Sequence, residues 1–87
     1  MSPEQILAKA QELVTGPRAE QHGDYCYQHR RAAELWSAYL DAPIGAEQVA
    51  MCMLLLKVSR SEVGKFNEDD GLDATAYAAI WGSLCDD

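Results

Sequence analysis

A chain of 87 residues with a net charge of −7 and 48% hydrophobic residues describes one small domain, 1–87, and a domain of this size hides only about 60% of the surface its unfolded form exposes. Seven basic residues against fourteen acidic ones leave no Lys/Arg stripe, which excludes DNA or RNA binding through the phosphate backbone. Many Ala, Leu, Met and Glu residues with few β-branched ones exclude a strand-rich fold and predict an all-α one.

The first helix starts at Ser2-Pro3-Glu4-Gln5, a capping box with proline at the first helical position. Ile6, Leu7, Ala10, Leu13 and Val14 follow at helical spacing, and Gly16-Pro17 ends the element. Residues Arg18 to Asp24 are polar apart from Ala19 and Gly23. They read as an ordered loop with a short turn of helix, because Tyr25 and Tyr27 follow at once and need somewhere to pack. The second helix is expected from about Gln28 to Leu40, with Ala32, Ala33, Leu35, Trp36, Tyr39 and Leu40 on a broad apolar face. Asp41-Ala42-Pro43 stops it.

The third helix runs from Ala46 to about Val63, with Glu47 in its first turn, where the helix dipole favours a carboxylate, and Gly64 closing it. Its run from Val49 to Val58 is apolar on every side, so it is expected to be buried on every side, with the rest of the chain around it. After a polar connection, the fourth helix is predicted from about Leu72 to Leu84, with Asp70 as its N-cap and Leu72, Ala76, Ala79, Ile80 and Leu84 on its apolar face. Four helices with short connections make a compact four-helix bundle, and its small size predicts completion by homo-oligomerisation.

Cys26, Cys52 and Cys85 are odd in number and form no C-x-x-C pair, as expected of reduced thiols. Met1 to Glu4 carry no basic leader, and no apolar run approaches the roughly 20 residues needed to span a bilayer. A cytoplasmic protein is expected.

Three constellations carry chemistry. Asp70-x-x-Asp73, with Tyr77 a turn further on, places two carboxylates on one helical face, where they can share Mg²⁺. The same residues read structurally as a cap at Asp70 and an ion pair at Asp73. Lys57 and Arg60 sit three apart at the end of the apolar helix and can meet phosphate, or Asp69, Asp70 and Asp73. The loop Arg18, Glu20, Gln21, His22, Gly23, Asp24 offers cation, imidazole and carboxylate in a short span. His29 begins the apolar face of the second helix and reads as a histidine satisfied at the edge of the core.

Four blocks in order, Gly16-Pro17-Arg18-x-x-Gln21-His22-Gly23-Asp24, Ala33-x-Leu35-Trp36-Ser37-x-Tyr39-Leu40, Leu56-Lys57-x-x-Arg60 and Asp70-x-x-Asp73-x-x-x-Tyr77-Ala78, resemble a family of short phage and bacterial proteins. That family in turn is similar to the MazG-like, all-α nucleotide pyrophosphohydrolases. The resemblance implies a MazG-like bundle, a dimer or higher oligomer, a host-cytoplasmic location if phage-encoded, Mg²⁺ as cofactor, and cleavage of a nucleoside triphosphate to its monophosphate and pyrophosphate. Asp70-x-x-Asp73 matches the second acidic pair of those enzymes, whereas their Glu-Glu-x-x-Glu helix has no counterpart here. Glu34, Glu47 and Asp24 are isolated acids.

The first expectation is therefore a nucleotide-binding protein that sequesters a nucleotide-derived signal without turnover, through Arg18, Gln21, His22, Asp24, Tyr25, Lys57, Arg60, Asp73 and Tyr77. A Mg²⁺-dependent pyrophosphohydrolase with Asp70 and Asp73 as ligands and Glu34 or Asp24 completing the shell is the enzymatic alternative. An interaction module whose polar cluster only staples two helices together is the structural one.

Overall fold

The computed structural model describes residues 1–16 and 24–86, so Arg18, Gln21 and His22, with Glu20 and Gly23, lie outside the described residues. Among those residues the chain is helical and has no strand. Helix α1 spans Pro3–Thr15, α2 Tyr25–Leu40, α3 Ala46–Ser61 and α4 Glu68–Cys85.

The first cap forms as its residues dictate. Gln5 N donates to Ser2 Oγ at 3.2 Å, and Ser2 N donates to Gln5 Oε1 at 2.8 Å, satisfying two of the donors that a helix start leaves open. At the other end of α1, Gly16 N donates to Glu12 O at 2.7 Å. A Cβ on Gly16 would lie 2.5 Å from that carbonyl oxygen, so the close approach requires glycine.

Helix α2 begins three residues earlier than its apolar spacing suggested, because Asp24 caps it by accepting from Cys26 N at 2.7 Å. It ends at Asp41 in the left-handed region, φ 51. Ser37 Oγ then accepts from Ile44 N at 2.9 Å and ties the connection back to α2. Helix α3 ends at Ser61 and not Val63. Gly64, at φ 76, lies beyond the cap residue Glu62. For α4 the N-cap is Asn67 and not Asp70: Asn67 Oδ1 accepts from Asp69 N at 2.9 Å, and the helix starts four residues earlier than expected. Glu68, Asp69 and Asp70 occupy the first turn, where the dipole favours them.

Packing corrects the expectation about α3. The helix at the centre is α4, which touches all three others, whereas α3 packs on α4 and α2. Ala74, Ala76 and Ala78, buried or half-buried, keep α4 thin enough for neighbours to approach it closely. Val49 and Ala50 of α3 are buried, but Leu55 and Leu56 are 56% and 48% exposed. Three other helices of this length cover only part of α3. Leu7, Leu35, Tyr39 and Leu40, expected on the inner faces of α1 and α2, are exposed as well, as is Tyr27. The core gathers Ala50, Ile80 and Leu84, with Val14, Tyr25, Cys26, Ala46 and Tyr77 against them.

At the outer end of α4 the N-terminal ammonium donates to Glu68 Oε1 at 2.9 Å. That hydrogen bond and charge hold the Glu68 carboxyl below its usual range.

Candidate ligand-binding site

Helices α3 and α4 run antiparallel, which sets the cations at the end of one against the acids at the start of the other. Lys57 Nζ lies 3.1 Å from Asp73 Oδ2, with the two side chains 14% and 32% exposed. One turn on, Arg60 Nε lies 3.6 Å from Asp70 Oδ1, where the Asp70 side chain is buried and that of Arg60 is exposed. The i,i+3 spacing on each helix is what lets both pairs form at once.

The inner pair opens onto a cleft of about 210 Å³ walled by Leu13, Tyr25, Ala76, Tyr77 and Ile80, with Lys57 and Asp73 as its charged members. Behind Tyr25 and Tyr77 lies a second cleft of about 200 Å³, completed by Gln28, His29, Ala32, Trp36, Val49 and Met53. The two clefts share both tyrosines as a wall. His29 is buried, its ring edge-on to Tyr77 at a centroid distance of 6.1 Å and tilted against Tyr25 at 6.5 Å. Its Nδ1 is 2.7 Å from Tyr25 O. A backbone carbonyl only accepts, so Nδ1 donates this bond, and in the tautomer with its proton there Nε2 is an acceptor.

Of the residues expected to bind a ligand, Tyr25, Lys57, Asp73 and Tyr77 come together in the first cleft. Arg60 stands apart in an open hollow of about 500 Å³ with Ser59, Val63, Lys65, Asn67 and Asp70. Asp24 caps α2 and borders a groove with Val14, Thr15, Cys26 and Ala79. The second cleft adds Gln28 and His29, which the sequence did not single out as binding groups. The signal available was the i,i+4 step from Tyr25 to His29.

For Mg²⁺, Asp70 and Asp73 each face a different cation, Glu34 pairs with Arg31 at 2.7 Å on the outside of α2, and Asp24 is engaged as a cap. Among the described residues no group of three His, Cys, Asp or Glu side chains is placed to hold a metal ion. Among the described residues these acids are taken up by cations and a helix cap and are not gathered into a metal shell.

Fold and cleft together define a small all-helical domain with an aromatic, charge-paired pocket between its helix ends. The chain belongs to the domain of unknown function family DUF6378, whose model matches residues 5–85. It is 37% identical over 76 residues to the Gene 55 protein of Mycobacterium phage L5, covering 86% of this chain and 49% of the relative. To the Gene 55 protein of Mycobacterium phage D29 it is 33% identical over 75 residues, covering 86% and 50%. The chain thus spans about half the length of these curated relatives. No solved structure matches it. Among the described residues, no helix is long and apolar enough to cross a membrane.

Proposed function

We propose that the paired clefts bind a nucleotide-derived small molecule and hold it without turnover, as a phage protein that sequesters a nucleotide signal would. The observation that carries this reading is the Lys57–Asp73 pair at a cleft whose tyrosine walls, Tyr25 and Tyr77, continue into a second, aromatic cleft. An incoming phosphate replaces the Asp73 carboxylate as the partner of Lys57, and the base lies against the rings of the second cleft. There the Nε2 lone pair of His29 and the amide of Gln28 are the polar groups that read its edge. Each cleft is small for a drug-sized ligand, whose pockets run to about 300–1,000 Å³. A nucleotide occupying both would reach past Tyr25 and Tyr77, which line each cleft, with its phosphate on one side and its base on the other.

A thermal-shift series with nucleotides of each base tests this. Stabilisation by one class, recovery of that compound intact, and loss of the effect in Lys57→Ala are the expected results. A second reading is favoured by the matched register of the two ion pairs, which alone would staple α3 to α4. It predicts a less stable Lys57→Ala protein with no ligand effect to lose. A Mg²⁺-dependent pyrophosphohydrolase, the activity implied by the MazG-like resemblance, is distinguished by release of pyrophosphate in place of intact ligand.

A further inference from the structure

His29 and Asp70 are the buried polar residues among those described, each 7% exposed. Asp70 faces the Arg60 guanidinium, whereas His29 is held on one side only. Its Nδ1 bonds Tyr25 O at 2.7 Å, and no described residue bonds its Nε2. Among the described residues no buried side-chain nitrogen or oxygen is left without a partner. Nε2 is therefore not sealed in protein, and it opens on the cleft that the ring lines with Gln28, Trp36 and Tyr77. Only a molecule entering that cleft can bond to it. The carboxamide of Gln28, half-buried at the same cleft, also has no partner among the described residues. No acid, lysine or arginine lines this cleft, while Lys57 and Asp73 line its neighbour. An uncharged, flat group suits the first, with any charge left to the other side of the two tyrosines.

We propose that this cleft selects a nucleobase carrying an exocyclic amino group beside a ring nitrogen, through the Gln28 carboxamide and His29 Nε2. The proposal rests on the nucleotide reading of the paired clefts and adds the class of base. The aromatic walls do not discriminate, because every base has a π-face. Selection falls to the two polar groups. A carboxamide offers a donor beside an acceptor, and meets an amino group and the adjacent ring nitrogen with two bonds. One amino hydrogen then remains. The neutral ring of His29, donating from Nδ1, offers a lone pair at Nε2 to accept it. Adenine, guanine and cytosine each carry such an edge. Hypoxanthine and uracil, their deaminated counterparts, have no amino group to supply the second hydrogen. An acceptor covered by such a base loses its solvent and gains no bond.

Calorimetric titration with nucleoside 5′-monophosphates in matched pairs tests this: adenosine and guanosine against inosine, and cytidine against uridine. The amino member of at least one pair should bind about tenfold or more tightly than its deaminated counterpart. His29→Phe keeps a flat ring and removes Nε2, and should bring the two affinities together. If that variant fails to fold, Gln28→Ala, at a half-buried position, should lower the same ratio. Lys57→Ala should weaken both members and leave their ratio, because it acts on the phosphate. Deaminated nucleotides that bind as tightly in every pair overturn the inference alone, as does a preference unchanged in His29→Phe or Gln28→Ala. Binding of none of the five overturns the nucleotide reading and this inference together.

Discussion

The inner ion pair gives the most exacting prediction about stability. Removing the carboxylate in Asp73→Ala leaves the Lys57 ammonium, 14% exposed, without the carboxylate it pairs with. Fully buried pairs cost about 3–5 kcal/mol when one partner is lost, and exposed pairs are worth about 0.2–1 kcal/mol. With Lys57 mostly covered and Asp73 32% exposed, the site lies between these limits. Asp73→Ala should cost about 1–3 kcal/mol by interpolation between them. For a domain of this size that lowers Tm by roughly 4–8 °C per kcal/mol. The assay is a double-mutant cycle of Lys57→Met and Asp73→Ala, by urea unfolding at one fixed protein concentration so that self-association contributes equally. A coupling of about 1 kcal/mol or more is expected. The Arg60–Asp70 pair, at 3.6 Å with Arg60 more than half exposed, should show the smaller coupling. A coupling near zero for Lys57–Asp73, or a larger one for Arg60–Asp70, would refute the reasoning from burial and distance.

Other consequences follow from the fold. Asn67→Ala should cost about 1 kcal/mol because it removes the N-cap of α4, whereas a cap effect at Asp70 is not expected; chemical denaturation of each variant checks this. Ala50, with 0% exposure at the contact of α3 with Ile80 and Leu84, should not accept Leu without a loss of about 1–3 kcal/mol from overpacking, measured as a fall in the denaturation midpoint. The Glu68 carboxyl, held low by the N-terminal ammonium, contributes stability that is present above its unfolded pKa and is lost as pH falls through the depressed folded value. NMR titration should find Glu68 ionising below the usual glutamate range, and acetylation of the amine should bring it back up.

How much was legible in the chain depended on whether a signal was local. Ser2-Pro3-Glu4-Gln5 specifies its cap through contacts within four residues, and the structure has it. Lys57, Arg60, Asp70, Asp73 and Tyr77 lie at helical spacings on consecutive helices, so their meeting followed from one antiparallel turn. The start of α4 was ambiguous because Asn67, Asp69 and Asp70 all suit an N-terminus, and only the accepted Asp69 N–H selects Asn67. The centre of the bundle was misread for a physical reason. An apolar run such as Met51 to Leu56 reads the same whether it faces a core or an open face of the chain, while the small residues that place α4 in the middle give little hydrophobic signal. The second cleft was hidden because it joins residues from α2, α3 and α4 around His29, whose tautomer is set by a carbonyl one turn earlier. The loop residues Arg18, Gln21 and His22 fall outside the described region, so their expected part in binding rests on the sequence alone.

The most direct test of the central claim is a titration of the purified protein with a panel of nucleotides and nucleotide-derived signals, read by thermal shift and followed by analysis of the released ligand. One base class should stabilise the protein, by about 2.7 kcal/mol at one hundred times its dissociation constant, and should be recovered intact, with the effect lost in Lys57→Ala. No stabilisation by any member of the panel, or stabilisation unchanged in Lys57→Ala, would contradict a ligand site at the Lys57–Asp73 cleft.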